Sequence, residues 1–488
     1  MIEMRLAEVA RVVGGRLHEA TGDELVTASV EFDSRAVRPG GLFLALPGEH
    51  ADGHDFAAAA TAAGAVGVLA GRPVPAPAVI APPTATADVP GASYLLAADR
   101  DGSGAAVLAA LARLAAHVLR SADVPAVVGV TGSSGKTSTK DLLAAVLAPL
   151  GPTVAPPGSF NNELGHPWTV LRVDADTRHL VLELSARGPG DIAALCRAAP
   201  PRIGVVLNVG RAHLGQFGSI EAVAKAKGEL VEALPAAQDG GVAVLNADDP
   251  RVVEMAARTV ARVIMVGQAP LADVRADGVT LDGGGRPRFR LRAPTGDSDL
   301  ALQLVGPHHV GNALAAAAVA LELGAGVEQV AAALTAATPV SRWRMEVADR
   351  PDGVTVVNDA YNANPESMRA AVQALVTIAG GGPDHPRRRS WAVLGEMAEL
   401  GASGAGAHAE IAELAATSGV DRLVAVATHG YGPAAEYMPD AATAVALLHA
   451  ELRPGDVVLV KASRAVGLDR VAAALLSTHP SPAEQVSR

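Results

Sequence analysis

Short runs of β-branched apolar residues alternate with longer Ala- and Leu-rich amphipathic runs along most of the chain. In one unit, the strand-like run Val127–Val130 leads through a glycine-rich turn into the helix-like run Ser138–Leu147. Further strand-like and helix-like runs follow in pairs: Val205–Leu207 and Ile220–Leu234, Val393–Leu394 and His408–Thr417, and Val457–Val460 and Val466–Leu476. This succession predicts α/β units around a mainly parallel sheet, in which ligands bind beyond the carboxyl ends of the strands.

Breaks in this pattern predict three domains. The helix-like run Val107–Leu119 ends just before the first strongly β-branched run, and the helix-like run Val327–Ala337 precedes Pro339. At roughly 150 residues per domain, a chain of 488 residues also predicts about three. The expected domains are residues 1–122, 123–338 and 339–488.

Three segments depart from the alternation. Prolines punctuate Pro73–Pro90, which favours a loop and sheet edge over a domain linker. The segment Gly278–Arg292 contains a glycine cluster and is typical of a β-hairpin. The tail Ser477–Arg488 is expected to fray.

Composition and charge exclude several classes of protein. With 40 Lys and Arg against 51 Asp and Glu, the formal net charge is −11, which disfavours a general nucleic-acid binder. Aromatic residues are only 3%, which argues against stacking platforms for single-stranded nucleic acid. The single cysteine, Cys196, excludes an intrachain disulfide framework and a cysteine-cluster metal site, and it fits a cytoplasmic setting.

Neither a secretory signal nor a membrane span is expected. The N-terminus carries charges at Glu3, Arg5, Glu8 and Arg11 and lacks an apolar core region. The apolar run Ala313–Leu321 is too short to cross a bilayer before a charge interrupts it.

The strongest local motif is a strand, a glycine turn and a helix. Glycines let backbone N–H groups approach phosphate oxygens, and a helix N-terminus adds partial positive charge. Here Lys136 would reach the β- and γ-phosphates, and Thr137 would offer a hydroxyl to Mg²⁺. The full Walker A motif is not met, because Val130 stands where its first glycine belongs. The motif residues are Gly132, Ser133, Ser134, Gly135, Lys136, Thr137 and Ser138.

Polar residues also follow other strand-like runs, and each is ambiguous by itself. Glu183 ends an apolar run where a magnesium ligand is expected after a phosphate loop, but a solvated carboxylate fits equally well. His213 is more typical of a hydrogen-bonded loop histidine, and Lys227 of a solvated helix face. The pair Asn161 and Asn162 favours a turn.

Farther along the chain, Arg344 lies in a short segment with a second arginine, which suits phosphate recognition, and Asn312 could cap a helix. A dense polar loop at 358–367 follows another β run. Several such loops at strand ends together indicate a functional site more strongly than any one of them.

Eleven motifs, taken in chain order, carry a resemblance that extends along nearly the whole chain. They are TGSSGKTSTK at 131–140, SFNNELGHP at 159–167, ELSARGPGDI at 183–192, NVGRAHLGQFGS at 208–219, AKGEL at 226–230, NADDP at 246–250, NALAAAAVA at 312–320, WRME at 343–346, NDAYNANPESM at 358–368, LGEMAELG at 394–401 and KASR at 461–464. Together they resemble the ATP-dependent Mur ligases of peptidoglycan synthesis. The loops at 358–368 and 394–401 resemble those of the member that adds a D-alanyl-D-alanine dipeptide.

The resemblance implies an α/β fold of three domains: an N-terminal UDP-substrate domain, a central P-loop ATPase-type domain with a parallel sheet, and a C-terminal Rossmann-like domain. It implies ATP and Mg²⁺ as cofactors. The implied small-molecule substrates are UDP-N-acetylmuramoyl-tripeptide and D-alanyl-D-alanine, which would be joined through an acyl phosphate. A cytoplasmic monomer that binds no nucleic acid is expected.

The resemblance also assigns roles to residues of this chain. Catalysis would fall to Lys136, Glu183, His213 and Lys227, and metal binding to Thr137, Glu183, His213 and, if carbamylated, Lys227. ATP would meet Asn312, Arg344 and Asp359 besides the phosphate loop at 132–138. The implied substrate-binding residues are Ser34, Arg35, Asp52, His54, Asn161, Asn162, Tyr361, Asn362 and Asn364.

Two departures from the family's usual residues stand out. His309 occupies a position where the family usually has asparagine, which puts an adenine contact in doubt. Arg211 and the pair Gly215-Gln216 differ from the commonest family residues as well.

Alternatives remain open at this point. A sister ligase that adds a single amino acid, such as diaminopimelate or a glutamate on a folate, would share the phosphate loop and metal residues. A nucleotide-binding switch would ligate nothing, and a kinase would need no amine. These functions can be distinguished by testing whether phosphate release requires both a carboxylate substrate and an amine acceptor.

Overall fold

The computed structural model describes residues 1–86, 89, 95–212, 214–380 and 386–477. Its strands are β1 (Met4–Arg5), β2 (Arg16–His18), β3 (Leu25–Val26), β4 (Val30–Glu31), β5 (Gly41–Leu44), β6 (Ala65–Ala70), β7 (Ala78–Ile80), β8 (Ala126–Thr131), β9 (Thr153–Val154), β10 (His179–Glu183), β11 (Ile203–Val206), β12 (Val242–Asn246), β13 (Arg262–Gly267), β14 (Val274–Leu281), β15 (Pro287–Ala293), β16 (Gly296–Ala301), β17 (Glu346–Asp349), β18 (Thr355–Asn358), β19 (Ser390–Leu394), β20 (Arg422–Val426), β21 (Glu436–Met438) and β22 (Val457–Lys461).

The helices alternate with these strands, as the hydrophobic pattern predicts. They are α1 (Leu6–Val13), α2 (Ala57–Ala62), α3 (Ser103–Ala122), α4 (Lys136–Leu147), α5 (Gly165–Val170), α6 (Asp191–Ala198), α7 (Leu214–Phe217), α8 (Ile220–Glu232), α9 (Pro250–Val253), α10 (His309–Glu322), α11 (Val327–Ala336), α12 (Pro365–Ala379), α13 (Gly404–Thr417), α14 (Ala441–Glu451) and α15 (Asp469–Ser477).

The N-terminal domain contains a five-stranded sheet in the order β2-β7-β6-β5-β4. The prediction of a loop over Pro73–Pro90 is wrong in part, because β7 lies inside the sheet between β2 and β6. Its three residues are all buried, so burial of a short apolar run outweighs the prolines around it. Residues 87, 88 and 90 of this segment lie outside the described part of the chain.

The central domain is built on a nine-stranded sheet in the order β16-β15-β14-β13-β12-β11-β8-β10-β9. Strands β8 to β14 all pair in parallel, whereas β15 and β16 are antiparallel additions at one edge. The predicted hairpin at Gly278–Arg292 is confirmed by the β14–β15 pair. Adjacent strands β11, β8 and β10 therefore bring their carboxyl ends, and the loops that follow, to one place.

The two faces of the central sheet are covered differently. Helices α4, α10 and α11 pack on one face in a core of their own. On the other face, α6 and α8 share a single apolar core with α1 and α3 of the N-terminal domain. Among the described residues, α3 is the one helix long and apolar enough to cross a bilayer, and 56% of its most apolar window is buried in this core.

The C-terminal domain has a six-stranded sheet in the order β17-β18-β22-β19-β20-β21, with only β17 antiparallel. Apolar cores lie on both faces. The single helix predicted over Val466–Leu476 is replaced by a 3₁₀ turn at Arg464–Val466 and by α15. Gly467, with φ of +70°, separates the two because a left-handed residue ends a helical turn.

Candidate functional site

A central cleft of about 810 Å³ opens where the carboxyl ends of the central strands face the C-terminal domain. Most of the residues expected to bind nucleotide or substrate line it. These are Ser133, Ser134, Gly135, Lys136, Thr137, Ser138, Asn161, Asn162, Asn312, Arg344, Asp359, Tyr361, Asn362 and Asn364. The structure thus brings together residues from two domains that are far apart in sequence.

The phosphate loop joins β8 to the N-terminus of α4, as its motif predicts. Gly135 has φ of +84°, and a Cβ there would lie 2.6 Å from Asn312 Oδ1, so only glycine fits. Lys136 Nζ donates to the carbonyl of Gly132 at 2.7 Å. Burial lowers the pKa of Lys136 to about 8, although Glu183 acts in the opposite direction. A bound polyanion would restore the charged ammonium.

Glu183 is the candidate metal ligand and lies behind the cleft lining, in contact with Thr137 of the phosphate loop. Its carboxylate is fully buried, and one oxygen, Oε2, accepts hydrogen bonds from Thr137 Oγ1 at 3.3 Å and Asn161 Nδ2 at 3.2 Å. The other oxygen, Oε1, is buried and has no hydrogen-bond partner among the residues that the structure describes. An unsatisfied buried carboxylate oxygen is costly unless a cation or donor occupies the site. Glu183 and Thr137 therefore fit Mg²⁺, which prefers oxygen ligands.

Lys227 lies buried on α8, close enough to Lys136 for their charges to interact. Burial, followed by the charge of Lys136, lowers the pKa of Lys227 well below its usual value. A neutral amine is the form that reacts with carbon dioxide, so this environment suits the carbamate expected from the resemblance. The fourth expected catalytic residue, His213, lies outside the described residues. Within those, three or more His, Cys, Asp or Glu side chains nowhere cluster as a metal site.

The C-terminal domain contributes a cationic wall to the cleft. Arg344 Nη2 donates to Thr137 Oγ1 at 3.2 Å, and its guanidinium lies 4.1 Å from the centre of the Tyr361 ring. Asp359 accepts a hydrogen bond from Lys461 Nζ at 2.6 Å. Asn364 Nδ2 donates to the carbonyl of Ser133 at 3.3 Å. The phosphate loop is thus contacted directly by side chains of the third domain.

His308 and His309, at the start of α10, form an uncharged wall of the cleft. The ring centres of His308 and His309 lie 4.2 Å apart, and burial lowers the pKa of His308 to about 4 and that of His309 well below its usual value. Asn312 Nδ2 is 3.3 Å from His309 Nδ1. The sequence suggested that Asn312 caps a helix. This is wrong, because α10 already begins at His309.

Several ionisable residues that line the cleft were not assigned to the site from the sequence, and Lys461 and Glu163 are the two with the clearest environments. Lys461 ends β22 beside the end of β18, so it meets Asp359, but that neighbourhood follows only from the strand order. Glu163 lines the cleft next to the asparagine pair, and burial raises its pKa to about 7. Its Oε2 has no hydrogen-bond partner in the described part of the chain. A charged residue within an otherwise polar turn was the available signal.

A second, N-terminal cleft of about 750 Å³ lies between the N-terminal domain and Leu164. Ser34 and Arg35 line it, and Arg35 pairs with Asp33 at 2.7 Å. The lining is otherwise mainly apolar. It suits a ligand with an apolar body and a few polar groups.

Two residues expected to bind substrate do not line either of these clefts. Asp52 Oδ1 accepts from His54 Nδ1 at 2.7 Å, and His54 Nε2 accepts from the backbone N–H of Gly71 at 3.1 Å. His54 is buried, and both of its ring nitrogens are engaged. Asp52 also binds Arg72 at 2.7 Å. The side chains of Asp52 and His54 therefore stabilise the loop whose neighbouring residues, Ala51 and Gly53, line the N-terminal cleft.

Comparisons with known proteins find the same family along most of the chain. Family models match in three parts: the Mur ligase family catalytic domain at residues 27–116, the Mur ligase middle domain at 130–320, and the Mur ligase glutamate ligase domain at 343–464. The UDP-N-acetylmuramoyl-tripeptide–D-alanyl-D-alanine ligase of Mycobacterium tuberculosis is 56% identical over an alignment that covers 98% of each chain.

Two solved structures are similar over nearly the whole fold. MurF from Acinetobacter baumannii has a TM-score of 0.80 and 27% identity, covering 98% of this chain and 99% of that one. MurF from Thermotoga maritima, solved in complex with ADP, has a TM-score of 0.72 and 30% identity, covering 92% of this chain and 97% of that one. The predicted three-domain α/β architecture is confirmed by these matches.

Proposed function

The chain belongs to the Mur ligase family, and from this we propose that it joins D-alanyl-D-alanine to the terminal carboxylate of UDP-N-acetylmuramoyl-tripeptide with ATP as the energy source. It is an ATP-dependent ligase of peptidoglycan synthesis. The observation that carries the proposal is the central cleft, where the phosphate loop, a buried carboxylate and third-domain cations converge. We expect it to act in the cytoplasm as a monomer.

The chemistry explains why such a cleft is needed. A carboxylate is a poor electrophile, because an oxide would have to leave. In the proposed reaction, the tripeptide carboxylate attacks the γ-phosphorus of ATP, ADP leaves, and an acyl phosphate forms. The deprotonated amine of the dipeptide then attacks the acyl carbon, and the tetrahedral adduct collapses to an amide with loss of phosphate.

The main barrier is the approach of two anions, and cationic groups in the cleft reduce it. Lys136 and Arg344 both line the cleft, Arg344 in contact with Thr137, and together they would neutralise the phosphates. Mg²⁺, when bound, would polarise the phosphoryl oxygens and offset their charge. Thr137 and Glu183 would hold it, with Lys227 as a carbamate and His213 completing the expected set. Positioning of both substrates supplies much of the rest.

Water must be kept from the acyl phosphate. The third domain covers the phosphate loop through Arg344 and Asn364, so its closure would exclude water and complete the site in one movement. Asp359 and Lys461 support this wall from the ends of adjacent strands. We propose that nucleotide binding and domain closure are coupled through Arg344.

The N-terminal cleft is the proposed place of the UDP-sugar. Leu164 and Phe32 line it, and the loop that carries Leu164 continues back to Asn161 and Asn162 in the central cleft. A ligand anchored at Ser34 and Arg35 could therefore extend its peptide along this loop toward Lys136. We propose that Ser34 and Arg35 bind the UDP-sugar and that Asn161 and Asn162 contact its peptide.

The test is phosphate release from ATP with Mg²⁺ and UDP-N-acetylmuramoyl-tripeptide, with the dipeptide or single amino acids added in turn. We expect release, and a mass gain of one dipeptide less water, only with D-alanyl-D-alanine. Release with a single amino acid would assign a sister activity, and a phosphorylated product without an amine would indicate a kinase. Lys136→Ala is the matched control, nearly inactive with an unchanged melting temperature.

A further inference from the structure

Arg211 follows β11 and lies outside the residues that line the central cleft. Its guanidinium crosses to helix α13 and binds Glu410 with two parallel hydrogen bonds. Nη1 lies 3.1 Å from Oε1, and Nη2 lies 2.7 Å from Oε2. Such bidentate pairs fix orientation as well as distance. The hydrogen bond from Arg211 lowers the pKa of Glu410 to about 2, so the pair stays charged at neutral pH.

Two further side chains of the C-terminal domain join this pair. Arg369 on α12 binds the same Glu410 Oε2 at 3.1 Å. Glu366, in the first turn of α12, has Oε1 3.6 Å from Arg211 Nε. One central-domain arginine thus meets two helices of the C-terminal domain. The contact from Arg369 to Glu410 stays within the C-terminal domain, whereas the contact from Arg211 crosses between domains.

The loop that carries Arg211 is also fastened to the phosphate loop. Asn208 Oδ1 accepts from the backbone N–H of Ser134 at 3.0 Å, and the N–H of Gly210 donates to Ser133 Oγ at 2.8 Å. A Cβ on Gly210 would lie 2.7 Å from Glu366 Cδ, so the backbone itself touches the C-terminal domain there. A continuous set of contacts therefore runs from Glu410 through Arg211 to Ser133.

We propose that Arg211 is a positioning residue, which ties the phosphate loop to the closed C-terminal domain through Glu410. In this role it does not touch ATP. It favours the domain arrangement in which Arg344 and Asn364 reach the phosphate loop. The side chains of Arg211 and Glu410 are 29% and 48% exposed, so the contact owes its effect to the bidentate geometry, which fixes orientation, and not to burial of the ion pair. This inference rests on the proposed function, because its main readout is the ligase reaction.

The test compares Arg211→Gln, Glu410→Gln and their double variant with Arg369→Gln. We expect Arg211→Gln and Glu410→Gln each to raise KM for ATP and lower kcat/KM by about 3- to 10-fold. The double variant should be no worse than Glu410→Gln alone, because either change breaks the same contact. Arg369→Gln also removes a positive charge that pairs with Glu410, but it breaks no contact between domains. We therefore expect kcat/KM of this variant to change less than about 2-fold.

Further measurements separate positioning from folding. The melting temperatures of all variants should agree, and Arg211→Lys should restore only part of the loss, because it keeps the charge and loses the bidentate geometry. Equal effects of Arg211→Gln and Arg369→Gln, or additive losses in the double variant, would overturn the inference.

The two proposals fail in different ways. A wild-type enzyme that is inactive with the dipeptide would overturn the proposed function. An active wild type with an unchanged Arg211→Gln variant would overturn only the role of Arg211. ADP affinity, measured by calorimetry on the same variants, tests the pair independently of amide formation, and an affinity that Arg211→Gln leaves equal to wild type would contradict it.

Discussion

The central domain meets its two neighbours through contacts of opposite character. Toward the N-terminal domain the contact is apolar: the two domains share one core, and Trp168 packs against Phe32 and Phe160 at ring-centre distances of 5.5 and 4.8 Å. Trp168 Nε1 also donates to the carbonyl of Val30 at 2.7 Å. We call this contact the apolar interface.

Toward the C-terminal domain the contact is polar, and we call it the polar interface. Arg344 to Thr137, Arg211 to Glu410 and Arg187 to Glu399 cross it. Among the described residues, Val305 is the one central-domain member of the apolar cores on that side. Because burial of apolar area stabilises more than exposed ion pairs do, the N-terminal and central domains should move as one body. The C-terminal domain can then separate from them at little cost.

The connection to the C-terminal domain supports this division. The segment between α11 and β17 includes Trp343 and Met345, with φ of +60° and +49°. Left-handed backbone is uncommon for such residues and concentrates where a chain must turn sharply. We call this segment, residues 337–345, the joint. Near its start, the backbone N–H of Ser341 donates to Asp141 Oδ2 at 3.1 Å, which anchors the joint to α4.

The largest effect is expected from Trp168→Ala at the apolar interface. It removes a buried aromatic side chain that packs against Phe32 of the N-terminal domain, and such truncations cost about 3 to 5 kcal/mol. Chemical denaturation should show the loss. Trp343→Ala, at a half-buried position of the joint, is the matched control and should change the free energy of unfolding far less. Equal losses would contradict the division into two kinds of interface.

A smaller effect on stability is expected at Glu163, on the loop between the two interfaces. Because burial raises the folded pKa of Glu163 to about 7 from the usual 4.5, ionisation disfavours the native state. The penalty is absent below pH 4.5, grows as pH rises, and is complete above pH 7. Glu163→Gln should therefore gain stability relative to wild type over that range, by up to about 3 kcal/mol. A difference that is independent of pH in denaturant titrations would refute this.

At the polar interface, Arg344→Ala should impair activity and leave stability nearly intact. Loss of the contact to Thr137 and of a phosphate-facing cation should raise KM for ATP by about 10- to 100-fold. Steady-state kinetics and thermal melting on the same preparation check both parts. If the melting temperature falls as far as that of Trp168→Ala, the polar interface carries more of the fold than we infer.

The smallest effect is expected from salt. Raising the ionic strength from about 0.1 to 1 M shortens the screening length from about 10 to 3 Å, which weakens partly exposed ion pairs. The advantage in kcat/KM of wild type over Arg211→Gln should shrink by about 2-fold or more across this range. An advantage that persists unchanged at high salt would point to a contact other than the ion pair with Glu410.

Much of the fold could be predicted because its elements are locally encoded. The phosphate loop and α4 follow from glycines between a β-branched run and an amphipathic run, and the β14–β15 hairpin follows from its glycine cluster. Strand β7 was missed because its proline-flanked run is short and its burial depends on neighbours.

The candidate site was only partly predictable, for a related reason. Single residues such as Lys136 and Glu183 stand in recognisable motifs. The pair of Asp359 and Lys461 spans 102 positions, and its formation requires that β18 and β22 be adjacent. The pair of Arg211 and Glu410 spans 199 positions and depends on how two domains meet. No local sequence pattern predicts that residues so far apart along the chain form either pair.

The placement of the three tryptophans has a spectroscopic consequence. Trp168 reports on the apolar interface, Trp391 is fully buried in the C-terminal core, and Trp343 lies half-buried in the joint, 4.1 Å below the guanidinium of Arg464. Indole emission is sensitive to nearby charge and solvent. In a variant with phenylalanine at positions 168 and 391, which keeps aromatic packing there, fluorescence would come from Trp343 alone and would report on the segment that joins the third domain, without any attached dye.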